Sequence, residues 1–286
     1  MRVAIATCTD WPELTPDDLL LADELVKQGA TVKPLIWDDP AAEWINYDGV
    51  IVRSVWDYHH RVDEFYAWVR RAAAHTPFMN SAEILNRNAH KGYMHDFGEA
   101  GLAVVPTAWI TGASSESLVS TMRAHGWDEV ILKPAVSASA LQTLRVTPLN
   151  LAAGEQLLDE ILPRCEAMVQ PCLASVREVG ETAMVFFGGD FSHAVRRPSP
   201  LDHGEDLNRL APPLPAVEPT QEQQAVAESI LAALDDTPTY ARVDLVDGDD
   251  GEPLLLELEM IEPYLFLASR PASAVMFASA VLKQLA

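Results

Sequence analysis

The stretch Leu254-Leu255-Leu256-Glu257-Leu258-Glu259-Met260 decides how this chain is read. It reads as a strand, and side chains alternate faces along a strand, so Glu257 and Glu259 point the same way. Two carboxylates on one side of an apolar strand repel each other unless something neutralises them. A bound cation does so: Mg²⁺ takes hard oxygen ligands and keeps waters and substrate phosphates for its other positions. Just upstream, Tyr240-Ala241-Arg242-Val243-Asp244-Leu245-Val246 is a second apolar strand, with Arg242 and Asp244 on one face. The residues between, Asp247-Gly248-Asp249-Asp250-Gly251, are hairpin-turn chemistry. Pairing the two strands brings Asp244, Glu257 and Glu259 together as candidate metal ligands. The competing reading is the solvent-facing side of an antiparallel hairpin, where Glu is ordinary.

Working outward, residues 2–7 read as a buried strand. Thr15 caps a helix with Pro16, Asp17 and Asp18 in its first turn, and Gly29 ends it. Strands at 31–36 and 48–55 and a helix at 62–74 continue the alternation, which implies a parallel sheet with covering helices. A helix at 88–100 follows, then strand 104–110, helix 115–124, strands 129–134 and 144–146, and helix 149–162. Strand 168–171 leads to a hairpin over 184–195, a long proline- and charge-rich loop over 198–217, a helix at 220–234, the two carboxylate strands, and a closing helix at 272–285. A loop of that length in a compact domain is usually functional. The expected organisation is α/β and α+β in three units: 1–87, 88–170 and 171–286.

The bulk properties narrow the function. A chain of 286 residues with 49% hydrophobic residues has a sizeable core. A formal net charge of -22 argues against nucleic acid as a partner, because phosphate backbones call for a basic surface. It leaves room for a nucleotide, which needs only a local cluster. Cys8, Cys165 and Cys172 lack metal-type spacing and cannot all pair, which fits a reducing cytoplasm. Cys8 reads as a small buried residue at the end of the first strand, with a nucleophile as the alternative. No apolar run approaches membrane-spanning length. The chain has only five lysines, so each is informative.

Two of those lysines stand at chemically suggestive places. Ile131-Leu132-Lys133-Pro134 delivers a Lys to a loop of small residues, Ala135 to Ala140, that includes Ser137 and Ser139. Such a loop lets backbone N–H groups approach phosphate while the ammonium adds charge; a solvated Lys beside a loop is the alternative. Lys91 lies near a helix start, where the dipole disfavours a cation unless an anion is close. Val169-Gln170-Pro171, followed by the acidic Glu178-Val179-Gly180-Glu181, could offer backbone groups to a base and a carboxylate to a ribose, or serve as a connector. Arg196 and Arg197 end the hairpin, and Arg forks suit phosphate or carboxylate. Arg53-Ser54-Val55-Trp56-Asp57-Tyr58 ends a parallel strand, the edge where open α/β sheets bind ligands.

In chain order, Lys91, Lys133 before the small-residue loop, the Val169-Gln170-Pro171 hinge, the Gly-Glu step, Arg242-Val243-Asp244 and Glu257-Leu258-Glu259 resemble the ATP-grasp ligases over nearly the whole chain. The resemblance implies an ATP-grasp fold: an N-terminal parallel-sheet domain, a small central lobe and a C-terminal lobe carrying the metal site. It implies that Lys91, Lys133, Ser137, Ser139, Val169, Gln170, Glu178 and Glu181 bind ATP. It makes Asp244, Glu257 and Glu259 ligands of two Mg²⁺ ions, with Mn²⁺ an alternative, and Arg242 and Arg197 the catalytic arginines. Glu259 departs from the family's frequent Asn, and the loop lacks the family's glycines.

Within the family, the Arg53–Tyr58 segment, Asn80-Ser81 and the run from Glu257 to Phe266 resemble the subgroup that cyclises O-ureido-D-serine to D-cycloserine. That implies an amino-acid-like small-molecule substrate, met by Ser54, Trp56, Asp57 and Tyr58. A cytoplasmic enzyme of antibiotic biosynthesis is expected, with no membrane or nucleic-acid partner; a homodimer is compatible with the sequence. The rival readings are an intermolecular carboxylate–amine ligase, a nucleotide-binding protein without catalysis, and a metal-dependent phosphohydrolase.

Overall fold

A computed structural model describes residues 1–113, 116–137, 141–198 and 213–286. Ser139, and residues 199–212 of the loop expected over 198–217, lie outside the described residues.

Three sheets organise the chain. The first is parallel, in the order β2-β1-β3, from β1 (Arg2–Thr7), β2 (Thr31–Ile36) and β3 (Gly49–Val52). Helix α1 (Pro16–Lys27) joins β1 to β2 and α2 (Val62–Ala73) follows β3, and they cover its two faces. Thr15 caps α1 as the sequence predicts, its hydroxyl accepting from Asp18 N at 3.1 Å. Phe65, Trp68, Val69 and Ala72 of α2 are buried, one apolar stripe at helical spacing.

The second sheet is antiparallel, in the order β4-β7-β5-β6, from β4 (Ala108–Ile110), β5 (Val130–Pro134), β6 (Leu144–Val146) and β7 (Ala167–Pro171). It is backed by α5 (Leu118–His125) and α6 (Leu151–Ile161). The third has the order β10-β9-β8-β11-β12, from β8 (Glu181–Phe187), β9 (Asp190–Arg197), β10 (Ala216–Val217), β11 (Tyr240–Asp247) and β12 (Pro253–Glu259). Helix α8 (Gln221–Ala232) packs against β11 and β12. The last helix, α9 (Ser273–Gln284), returns to the N-terminal unit, where Phe277, Ala278 and Val281 share a core with Val3, Ile5, Leu21 and Leu25.

Several expectations change in the structure: the strand expected over 48–55 ends at Val52, and the end of the loop expected over 198–217 carries β10. The helix expected over 88–100 is two short helices, α3 (Ala82–Asn88) and α4 (Tyr93–Glu99). Tertiary bonds break it: Asn88 Nδ2 donates to Leu258 O (2.8 Å), and Lys91 N donates to Ala135 O (2.8 Å). The strand expected over 104–110 shrinks to β4, because Val105 N turns to Leu255 O (2.9 Å) and Pro106 has no N–H to give. The acidic loop after β7 contains a short helix, α7 (Ala174–Glu178), and Glu181 is the first residue of β8. The described part of the helix expected from residue 115 begins at Leu118.

Candidate active site

The carboxylate strands pair as expected. Arg242 stands opposite Glu259 and Asp244 opposite Glu257, while β8 places Ala183 beside Asp244. Glu181, two residues before Ala183, shares that face, and Arg197 of β9 stands opposite it. The result is a sheet face carrying both charges. Arg242 Nη2 donates to Asp244 Oδ2 at 2.8 Å and also to Glu259, and Arg197 Nη1 reaches Asp244 Oδ2 at 3.1 Å and Glu181 at 3.6 Å. Asp244 lies at the bottom, 2% exposed, whereas the side chains of Glu257 and Glu259 remain 27% and 26% exposed.

The two expected phosphate lysines converge on this face, Lys91 from the turn between α3 and α4 and Lys133 from the end of β5 in the second sheet. Lys91 Nζ lies 3.2 Å from Glu257 Oε1, and it donates to Ser137 O at 2.7 Å and to Ser137 Oγ at 3.3 Å. One ammonium therefore joins the small-residue loop after β5 to the acidic strand β12. Lys133, at the end of β5, is buried; desolvation lowers its pKa from the ordinary lysine value while Glu257 opposes that. Burial alone would raise Glu257, but Lys91, Lys133 and Arg242 prevail and hold it below the usual carboxylate range. Glu259 goes the other way, pushed up by burial and by Glu257 and Asp244 despite Arg242. Burial also raises Glu181, outweighing the opposing charge of Arg197.

The remaining expected residues are more scattered. Val169 is buried in the core of the second sheet, and Gln170 Nε2 donates to Thr107 Oγ1 at 2.9 Å. Glu178 is exposed at the end of α7, so Glu181 joins the charged face without it. In the N-terminal unit, Ser54 is fully buried and gives its hydroxyl to Asp18. Asp57 accepts from Trp37 Nε1 (2.8 Å) and pairs with Arg61, while Tyr58 packs on Phe65 in the core. Trp56 is half-buried, its Nε1 donating to Glu262 O at 3.0 Å. Cys8 is buried, and burial raises its thiol pKa, which makes it a poor nucleophile.

Sequence reading missed what holds the segment after β12. Its carbonyls accept from side chains throughout the molecule. Leu258 O accepts from Asn88 and Tyr93, Met260 O from Asn80 (2.7 Å), and Ile261 O from Tyr240 (2.9 Å). Pro263 O accepts from Arg53 Nη2 (2.7 Å), Tyr264 O from Arg242 Nη1 (3.1 Å), and Leu265 O bonds His193 Nε2 (3.0 Å). The polar residues that do this lie far apart in sequence, and only their burial marks them. Glu262 sits in this segment, 8% exposed, and burial with Glu259 nearby pushes its pKa up to about 8.

The crystal structure of D-cycloserine synthetase DcsG superposes with a TM-score of 0.92 over 100% of both chains at 27% identity. The chain has the ATP-grasp fold. Residues 3–80 match the family model described as D-cycloserine synthetase DcsG, N-terminal domain. The cycloserine biosynthesis protein DcsG of Streptomyces lavendulae is 29% identical over 272 residues, covering 90% of each chain. The ATP-grasp ligase PsnB, determined with a minimal precursor, Mg and ADP, shares the fold at a TM-score of 0.64 and 17% identity, covering 100% of this chain and 97% of that one. The chain thus resembles D-cycloserine synthetase along its length, and the likeness supports an ATP-grasp ligase role. No helix among the described residues is long and apolar enough to cross a membrane.

Proposed function

We propose that the protein is an ATP-dependent ligase of antibiotic biosynthesis that closes O-ureido-D-serine into D-cycloserine, releasing ADP, phosphate, carbon dioxide and ammonia. Full-length likeness to DcsG supports the substrate. The observation that carries the chemistry is the position of Lys91, whose ammonium touches both the loop after β5 and Glu257 of β12. A triphosphate lying between those two elements meets Lys91 and Lys133 from one side and Arg242 and Arg197 from the other.

Charge balance supports the metal requirement. The site holds four cations, Lys91, Lys133, Arg197 and Arg242, against four carboxylates, Glu181, Asp244, Glu257 and Glu259. It is close to neutral by itself, so a polyanionic nucleotide needs further positive charge. The donor set fits Mg²⁺, or Mn²⁺ in its place: Glu257 and Glu259 offer accessible hard oxygens, and Asp244 joins them once Arg242 or Arg197 yields an oxygen. Among the described residues no three His, Cys, Asp or Glu side chains already form a group that could hold a metal ion. When bound, the metal neutralises the phosphoryl group and its leaving oxygen.

In this reading the substrate carboxylate attacks the γ-phosphorus to give an acyl phosphate and ADP. The substrate's N–O nitrogen then attacks the acyl carbon, the ring closes and phosphate leaves. The carbamoyl group is lost by hydrolysis as carbon dioxide and ammonia. Arg242, fixed by Asp244 and Glu259, and Arg197, fixed by Asp244, hold carboxylate and phosphoryl oxygens in line, and most of the acceleration is positioning. Incubating purified protein with Mg²⁺, ATP and O-ureido-D-serine and reading product mass tests this. ADP formation with another carboxylate and amine, and no ring product, would assign an intermolecular ligase instead.

A further inference from the structure

We infer that Glu262 receives the ammonium group of the amino-acid substrate. The inference rests on the substrate being an amino acid, as proposed above, and it names the residue that recognises it.

Glu262 is buried, and its carboxyl, which accepts from its own backbone N–H, forms no ion pair and no hydrogen bond to another residue among the described residues. A buried carboxyl group without a partner is costly, and proteins rarely keep one without a use. Its backbone is fixed on both sides. Ile261 O is held by Tyr240, Glu262 O by Trp56 and Pro263 O by Arg53. All three donors are large side chains anchored in packed structure: Tyr240 and Arg53 are almost fully buried, and Trp56 packs edge-on against Trp11.

The surroundings select an ammonium. Lys91 acts electrostatically on Glu262, but its own hydrogen bonds go to Ser137 and its ion pair to Glu257. Glu259 and Glu257 continue the same segment, so a cation at Glu262 stands beside the proposed phosphoryl-transfer face. Trp56 and Tyr58 place aromatic rings nearby, and Tyr58 feels the charge of Glu262. A single carboxylate suits a primary ammonium better than a metal, which needs several oxygens. An α-amino acid anchored there by its ammonium has its carboxylate one carbon away, free to face Arg242 and the nucleotide.

The test compares O-ureido-D-serine with its desamino counterpart, 3-(ureidooxy)propanoate, by calorimetric binding to the wild-type protein and to Glu262→Gln in the presence of Mg²⁺ and a non-hydrolysable ATP analogue. The wild type should prefer the amine by about 100-fold, and Glu262→Gln should lower that preference by at least about tenfold, the loss of a charge-assisted bond. Nucleotide affinity and melting temperature should stay unchanged, which separates recognition from a structural role. Retention of the preference in Glu262→Gln, absence of any preference in the wild type, or failure of the wild type to bind either compound would overturn the inference. Ring formation is scored separately. An amine preference that disappears in Glu262→Gln, without ring product, would overturn only the cyclisation reading.

Discussion

Asp244 and Glu257 face each other across the β11–β12 ladder, and one step beyond them the register slips, so that Leu245 pairs with Leu255 and Leu256 has no counterpart. This bulge reverses the alternation of β12. Leu255 and Leu258, three apart, are both buried in the same core, while Glu257 and Glu259 keep the charged face. Without it, Leu255 would share a face with the two carboxylates.

Glu257→Gln should lower turnover by more than about 100-fold, since both a cation and Lys91 lose their carboxylate. Two lysines that Glu257 holds would lose a partner, so a modest loss of stability, about 1 kcal/mol for a partly exposed pair, should accompany it. Steady-state kinetics and urea unfolding check both; near-normal activity at ordinary Mg²⁺ would remove Glu257 from the metal site.

Lys91→Met and Lys133→Met should each weaken ATP binding by about 10- to 100-fold, equivalent to about 1–3 kcal/mol for a charged hydrogen bond left unmade. Calorimetric titration with an ATP analogue measures this. Unchanged affinity in both variants would separate the lysines from the nucleotide.

Arg53→Met should destabilise the protein by about 3–5 kcal/mol, because it strands the buried Asp18 carboxylate that Arg53 Nε meets at 2.8 Å. Adding Asp18→Asn should recover part of the loss. Denaturant unfolding of the two singles and the double variant gives the coupling; simple additivity would deny the pair.

Asp17 makes a pH prediction. Burial, with Asp18 beside it, pushes its carboxyl up to about 7. Between its unfolded pKa and about 7 the native state keeps a proton that the unfolded chain has lost, so stability falls as pH rises through that window. The contribution is fully present below the unfolded pKa and gone above about pH 7 to 8. Asp17→Asn should therefore stabilise the protein more at pH 8 than at pH 5, by about 1–3 kcal/mol. Melting curves with an equal increment at both pH values would contradict the assignment.

The parts of this architecture legible in the sequence were those written locally. The capping Thr15, the two apolar strands around an Asp-Gly turn and the alternating strand–helix units of residues 1–87 follow from short-range chemistry. The scarcity and placement of Lys91 and Lys133 singled them out, and the fold brings both near Glu257. The break between α3 and α4 was not, because it depends on Asn88 and Lys91 bonding partners more than forty residues away. For the same reason, Asp57 and Tyr58 at a strand's carboxyl edge gave no sign that Trp37, Arg61 and Phe65 already engage them. Glu262 stood in a quoted motif, but its isolation becomes visible only with the fold.

Ring closure through an acyl phosphate leaves an oxygen-isotope record. With both carboxylate oxygens of O-ureido-D-serine labelled with ¹⁸O, mass spectrometry should find one label in the phosphate and one in the ring carbonyl of D-cycloserine, with one ADP per ring. ADP accompanied by unlabelled phosphate and no ring product would contradict it.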